Sequence, residues 1–107
     1  AEYNIPVIWI VLNNGGHSMV YHGEKLLFGG ELNSSRFRKP IDIWGLAASL
    51  GVRSFKAETL AAFEQALQAA LEASAPCLID AVVDFEECPS SIQQRAETLN
   101  KFFAGIH

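Results

Sequence analysis

The chain has 107 residues, 50% hydrophobic and 19% charged, enough apolar side chain for the core of one small globular domain, which excludes a disordered chain. Its longest apolar run, Ile5 to Leu12, is far too short to cross a bilayer and follows no basic segment, so neither a membrane span nor a secretory signal is expected. Net charge is −4, with residues 1–56 at +2 and residues 57–107 at −6, and no basic stripe interleaved with aromatics marks a nucleic-acid surface.

Pro6 to Leu12 is a continuous β-branched and aromatic run without alternation, which predicts a central strand of a parallel sheet covered on both faces. Ala1 to Asn4 leads into it without an initiator Met or a cap, so the chain is expected to be a piece of a longer one. Asn13-Asn14-Gly15-Gly16 breaks the run, and Ser18 to Phe28 has the apolar positions of a helix that Gly29-Gly30 ends. Glu31 to Pro40 has no period and holds Arg36, Arg38 and Lys39, so it reads as an exposed, solvated connection, with contact to a nucleotide or acyl-diphosphate as the lesser alternative for the basic cluster.

Asp42 to Leu50 is a short helix, capped by Asp42 and ended by Gly51, and Val52 to Lys56 is a short strand. Glu58 to Ala73 is the strongest helix, with Leu60, Phe63, Leu67, Ala70 and Leu71 on one stripe and Glu64, Gln68 and Glu72 on the other. Cys77 to Asp84 is a second buried strand in which Asp80 needs a partner or an exposed edge. Cys88 to Ser91 is a linker, and Ile92 to Phe103 forms a terminal helix with Ile92, Ala96, Leu99 and Phe103 in register. The order of elements predicts an α/β domain with a largely parallel sheet flanked by helices, with too few strands to be complete.

Trp9 and Trp44 are expected in a core or subunit interface. Two cysteines are too few for a disulfide framework: Cys77 reads as a buried small hydrophobe and Cys88 as an exposed loop thiol, and a reducing cytoplasm is the simpler location.

Ligands of open α/β sheets sit beyond the carboxyl ends of the strands, which directs attention to Asn13-Asn14-Gly15-Gly16-His17-Ser18. Two glycines let the backbone approach a ligand, the following helix offers unpaired N–H groups, and an Asn amide oxygen is a neutral hard ligand. That set suits a diphosphate with magnesium, which takes oxygen ligands in octahedral geometry shared with phosphates. The same letters also spell a plain turn, since Asn and Gly both tolerate positive φ.

Ile10 to Val20 resembles the end of the cofactor motif of thiamine-diphosphate-dependent enzymes, most closely the acetolactate synthase group. Leu27-Phe28-Gly29-Gly30, Ile41 to Val52, the helix Glu58 to Ala73 and Pro76 to Asp84 follow in the order of that family, covering nearly the whole chain up to about Glu87. The resemblance implies that residues 1–87 are the C-terminal portion of the diphosphate-binding domain, followed by a linker and helix over 88–107. It implies that Asn14 gives its side-chain oxygen to Mg2+ and Gly16 its backbone carbonyl. The backbone of Gly15, His17 and Ser18 then faces the diphosphate, Asn13 holds the turn, and Met19 lines the site near the thiazolium and substrate. His17 and His22 are candidates for acid/base work, beside the blander reading of a solvent-facing or helix-contacting histidine.

Two departures accompany the resemblance. The Gly-Asp-Gly that opens the family motif, and with it a third metal ligand, is absent from these residues, as is the separate pyrimidine-binding domain. Where plant-like members carry a Trp shortly after the Met, this chain has His22-Gly23, so its substrate need not be pyruvate alone.

The implied parent is a carboligase and decarboxylase of 2-oxo acids, with a decarboxylase or aldehyde lyase of the same fold, or a non-catalytic binding module, as the alternatives. It would work with the rest of its chain as a homodimer or homotetramer. FAD is a further cofactor of the family that no residue here supports. The segment alone is expected to be inactive.

Overall fold

The computed structural model describes residues 2–29 and 35–106. Its elements are β1 (Ile8–Asn13), α1 (Ser18–Phe28), α2 (Ile43–Ser49), β2 (Arg53–Ala57), α3 (Leu60–Ala73), β3 (Cys77–Val82) and α4 (Ser90–Ile106). The predicted helices and strands are all present, with no end shifted by more than three residues and α1 matching at both ends. By contacts the chain divides into two compact units, residues 1–13 with 41–83 and residues 14–40 with 84–107.

The first unit holds a parallel three-stranded sheet in the order β1-β3-β2. Ile8 pairs with Cys77 and Asn13 with Val82 on one side of β3, and Arg53 with Cys77 and Ala57 with Ala81 on the other. In this register Cys77, Ile79 and Ala81 share one face of the sheet with Ile8, Phe55 and Ala57. Against that face α3 buries Ala66 and Ala70, flanked by Ala62, Phe63, Leu67 and Ala73. Alanines let the helix axis approach the strands closely enough for Cys77 and Ile79 to lose all contact with water.

Thr59 starts α3, its hydroxyl accepting from the Ala62 N–H at 3.1 Å. Asp42 does the same for α2, accepting from the Gly45 N–H at 2.8 Å, the cap expected from the sequence. α2 packs against β2 and β3.

Four expectations for this unit are corrected. β3, not β1, is the central strand among the described residues; position in a sheet is set by pairing on both edges, which apolar character does not report, and β3 has both. The faces of β1 are not both covered by the described residues either, since the side chains of Trp9, Ile10 and Leu12 are exposed. The α3 stripe is centred on the alanines, leaving Leu60 and Leu71 around the side of the helix and exposed. Of the two places expected for Trp9 and Trp44, the core of this unit is excluded, Trp44 being 58% exposed; exposure leaves the subunit-interface half of that expectation untouched.

Asp80 has neither of its expected resolutions. It lies on the central strand in one row with Val11 and Lys56, is only 7% exposed, and its Oδ1 has no hydrogen-bond partner among the described residues. The Lys56 ammonium is turned to Glu58, 3.5 Å away.

The second unit pairs α1 with α4. His22 and Ala96 are buried within it, and the Asn100 side-chain amide donates to the Leu26 carbonyl at 3.3 Å. Gly29 closes α1 in the left-handed conformation, φ 83°, as its glycine predicts. Gly30 and the first part of the predicted connection, 31–34, lie outside the described residues. α4 runs longer than predicted, and Phe103 of its expected stripe is exposed. Among the described residues no helix is long and apolar enough to cross a membrane.

Candidate functional site

The chain leaves β1 at Asn13, whose carbonyl accepts from the Val83 N–H at 2.9 Å. Asn14 to Met19 then form one continuous loop and helix start in the second unit. Asn14 is half-buried and doubly engaged: its side-chain N–H donates to Ser18 Oγ at 2.6 Å, and its Oδ1 accepts from the Gly16 N–H at 3.3 Å. The two bonds fix which way the amide faces, because nitrogen goes to the hydroxyl and oxygen stays on the Gly15-Gly16 side. A carbonyl oxygen has a second lone pair, so this long hydrogen bond leaves Oδ1 able to bind a cation.

Gly15 adopts φ +78°, where a side chain would be strained, and a Cβ there would meet open space. Gly16 is glycine for a different reason. It is outside the left-handed region, and a Cβ on it would strike the Ser35 carbonyl oxygen and come within 2.8 Å of the Phe85 ring. The crowding comes from residues 35–37, which run antiparallel to the loop through a bridge between Gly16 and Arg36. The His17 N–H donates to Ser35 O at 2.7 Å, and the Phe37 N–H donates to Gly15 O at 2.9 Å.

Of the backbone expected to face a diphosphate, the His17 N–H is engaged within the protein by Ser35; the neighbouring Gly16 N–H, of which only the carbonyl was given a role, is engaged by Asn14. The donors left at the helix start are the first amides of α1, which have no carbonyl one turn earlier to bond. The first turn of α1 carries no acidic side chain, so nothing there opposes an anion. Met19 is 71% exposed, its thioether accessible at the same end of the helix.

The histidines separate. His17 is exposed at the N-cap of α1, makes no capping bond, and stands edge-on to Phe37 with ring centroids 5.0 Å apart. His22 is 4% exposed, with Nε2 3.1 Å from the Phe85 carbonyl oxygen and its ring stacked toward Phe85. That arrangement makes His22 a packing group in place of the acid/base candidate, and where it reaches a surface it borders a cleft of about 330 Å3 shared with Lys25, Glu86 and Cys88. Cys88 is half-buried there, less open than a loop thiol was expected to be.

The donor set fits magnesium and a diphosphate in part. Asn14 Oδ1, the Gly16 carbonyl and the leading amides of α1 are neutral oxygen donors and N–H groups of the right kind. Among the described residues no three or more His, Cys, Asp or Glu side chains gather to hold a metal.

Sequence reasoning named Arg36 only as part of a basic cluster and missed Ser35, Phe37 and Phe85, which lie with it against the loop, and Glu86, which holds Arg36. The one local signal was Gly16 itself, a second glycine where the turn needs only one.

The family model described as "Thiamine pyrophosphate enzyme, C-terminal TPP binding domain" matches residues 1–81. The chain is 31% identical over 94% of its length to a probable acetolactate synthase large subunit of Methanococcus aeolicus, covering 17% of that protein. It is 30% identical over 82% of its length to the acetolactate synthase large subunit of Pyropia yezoensis, covering 15% of it. A probable acetolactate synthase large subunit of Methanocaldococcus jannaschii is 29% identical over 78% of the chain, which covers 14% of that relative. The chain thus spans about a sixth of the length of these relatives.

Proposed function

Because the chain belongs to the thiamine pyrophosphate enzyme family, in its C-terminal TPP-binding domain, we propose that residues 14–19 carry part of the magnesium and diphosphate site of an acetolactate synthase-like enzyme. The substrate class is 2-oxo acids, and the reaction is decarboxylation with joining of the product to a second carbonyl. The observation that carries this reading is the Asn14 side chain, anchored through nitrogen to Ser18 and presenting its oxygen beside Gly16.

In this reading Asn14 Oδ1 and the Gly16 carbonyl are two oxygen ligands of Mg2+, and the Ser18 and Met19 amides receive a diphosphate oxygen at the positive end of α1. Thiamine diphosphate, when bound, supplies the carbanion chemistry. The chain's own residues bind and orient: Gly15 keeps the approach open, Met19 offers an apolar contact, and exposed His17 flanks the entrance. No acid or base for the chemical steps is assigned to this segment. The remaining ligands, the rest of the active site and a homodimeric or homotetrameric assembly in the cytoplasm belong to the longer enzyme.

Asn14→Ala, made in the enzyme that contains this segment, is expected to raise the Mg2+ concentration for half-saturation with thiamine diphosphate by about tenfold or more, a loss that even outer-shell partners of metal ligands produce. An unchanged requirement removes Asn14 from the site. The 107-residue chain alone is expected to show no turnover and no saturable calorimetric binding of thiamine diphosphate with Mg2+; saturable binding would contradict the shared site.

A further inference from the structure

The loop's shape depends on residues that carry no role in the reading above. Residues 35–37 clamp it through the two backbone bonds of His17 and Phe37, and the strap's one charged side chain, Arg36, is held at both its plane and its tip. The guanidinium carbon lies 4.0 Å from the centre of the buried Phe85 ring, while Nη2 is 2.5 Å from Glu86 Oε1. Phe85 in turn lies against Gly16, where a Cβ would come within 2.8 Å of its ring.

Glu86 also reaches α1, accepting from the Tyr21 hydroxyl at 3.1 Å and lying 3.7 Å from the Lys25 ammonium. Its own backbone is set by Asp84, whose Oδ1 accepts from the Glu86 N–H at 2.9 Å. One carboxylate thus ties the strap to the helix whose first turn follows the loop.

We propose that Arg36 is a positioning residue of the Asn14 loop, acting through the Phe85 ring and the Glu86 carboxylate. It touches neither metal nor cofactor; its work is to keep the 35–37 strap seated so that Gly15 and Gly16 hold their course and Asn14 Oδ1 stays on one side. The inference rests on the magnesium-diphosphate reading for its functional meaning, but the strap itself is a property of this chain. An exposed ion pair alone contributes little. The flat guanidinium over a buried ring, joined to a carboxylate with further donors, is the stronger part of the device, and lysine cannot reproduce it.

The test is amide hydrogen exchange of the 107-residue chain, read residue by residue by NMR. Arg36→Gln is expected to speed exchange at the His17 and Phe37 amides by about fivefold, Arg36→Lys and Glu86→Gln by about twofold, with the β3 amides unchanged as a folding control. Equal rates at His17 and Phe37 in Arg36→Gln and wild type would overturn the proposal, as would full restoration by lysine. In the longer enzyme, Arg36→Gln should weaken thiamine diphosphate binding about threefold to tenfold while leaving kcat at saturating cofactor within about twofold; unchanged binding would overturn the coupling to the cofactor. Asn14→Ala separates the two readings: if it leaves cofactor binding intact while exchange still follows Arg36, the positioning stands and the cofactor assignment falls.

Discussion

The two units of this chain are held by different physics. In the first, residues 1–13 and 41–83, the sheet is a regular parallel ladder and its core is small and apolar, with Cys77 and Ile79 buried beneath the alanines of α3. In the second, residues 14–40 and 84–107, the candidate loop is shaped by specific polar contacts between residues far apart in sequence: His17 with Ser35, His22 with Phe85, and Arg36 with Glu86. Apolar burial is non-directional and tolerates adjustment. Directional contacts specify one arrangement but carry it on few groups, which is the character expected of a segment that must hold an Asn oxygen at a set place.

The contrast can be broken first in the sheet. Ile79→Ala removes a fully buried side chain and is expected to cost about 4 kcal/mol in urea denaturation of this chain; a loss below about 1 kcal/mol would show that the core is not centred on β3. Gly16→Ala tests the second unit. Its Cβ meets a backbone carbonyl that cannot swing away, so a cost of about 2–3 kcal/mol is expected, together with faster exchange at the His17 and Phe37 amides. A neutral result would mean that the strap is not seated on the loop.

Asp80→Val sharpens the comparison in the opposite direction. Asp80 is a polar residue in the unit that otherwise runs on apolar burial, and its buried Oδ1 is unpaired. An unpaired buried polar atom costs about 1–3 kcal/mol, and valine suits a central strand, so the variant is expected to raise the denaturation midpoint and add about 1–2 kcal/mol. A destabilised variant would reveal a partner for Asp80 that only the carboxylate can serve.

Legibility from sequence follows the same division. Element types were readable because apolar runs and helical spacing are local, and the caps at Asp42 and Gly29 sit where residue type demands. The place of β1 in the sheet was not readable, since the apolar character of Ile8 to Leu12 does not say which strand has two neighbours, and Trp9, Ile10 and Leu12 are exposed among the described residues. On α3, Phe63, Leu67 and Ala70 of the expected stripe do meet the sheet, but its centre falls on Ala66 and Ala70 and leaves Leu60 and Leu71 exposed, because a short distance to the sheet favours small side chains at the centre of the contact. The Asn14 loop was legible as a unit, and its link to a known family came from the order of several short motifs. That its Gly16 and His17 amides turn to Asn14 and Ser35 was not, because nothing local ties Gly16 to Arg36 or Arg36 to Glu86. Those pairings exist only once the chain has folded back over twenty and then fifty residues.

The most direct measurement is a crystal structure of the longer enzyme containing this segment, with thiamine diphosphate and Mn2+ in place of Mg2+, since both ions favour octahedral oxygen sites. An anomalous peak bonded to Asn14 Oδ1 and the Gly16 carbonyl oxygen is expected, with a diphosphate oxygen facing the Ser18 and Met19 amides. A metal held wholly by other residues, with Asn14 still turned to Gly16 and Ser18, would contradict it.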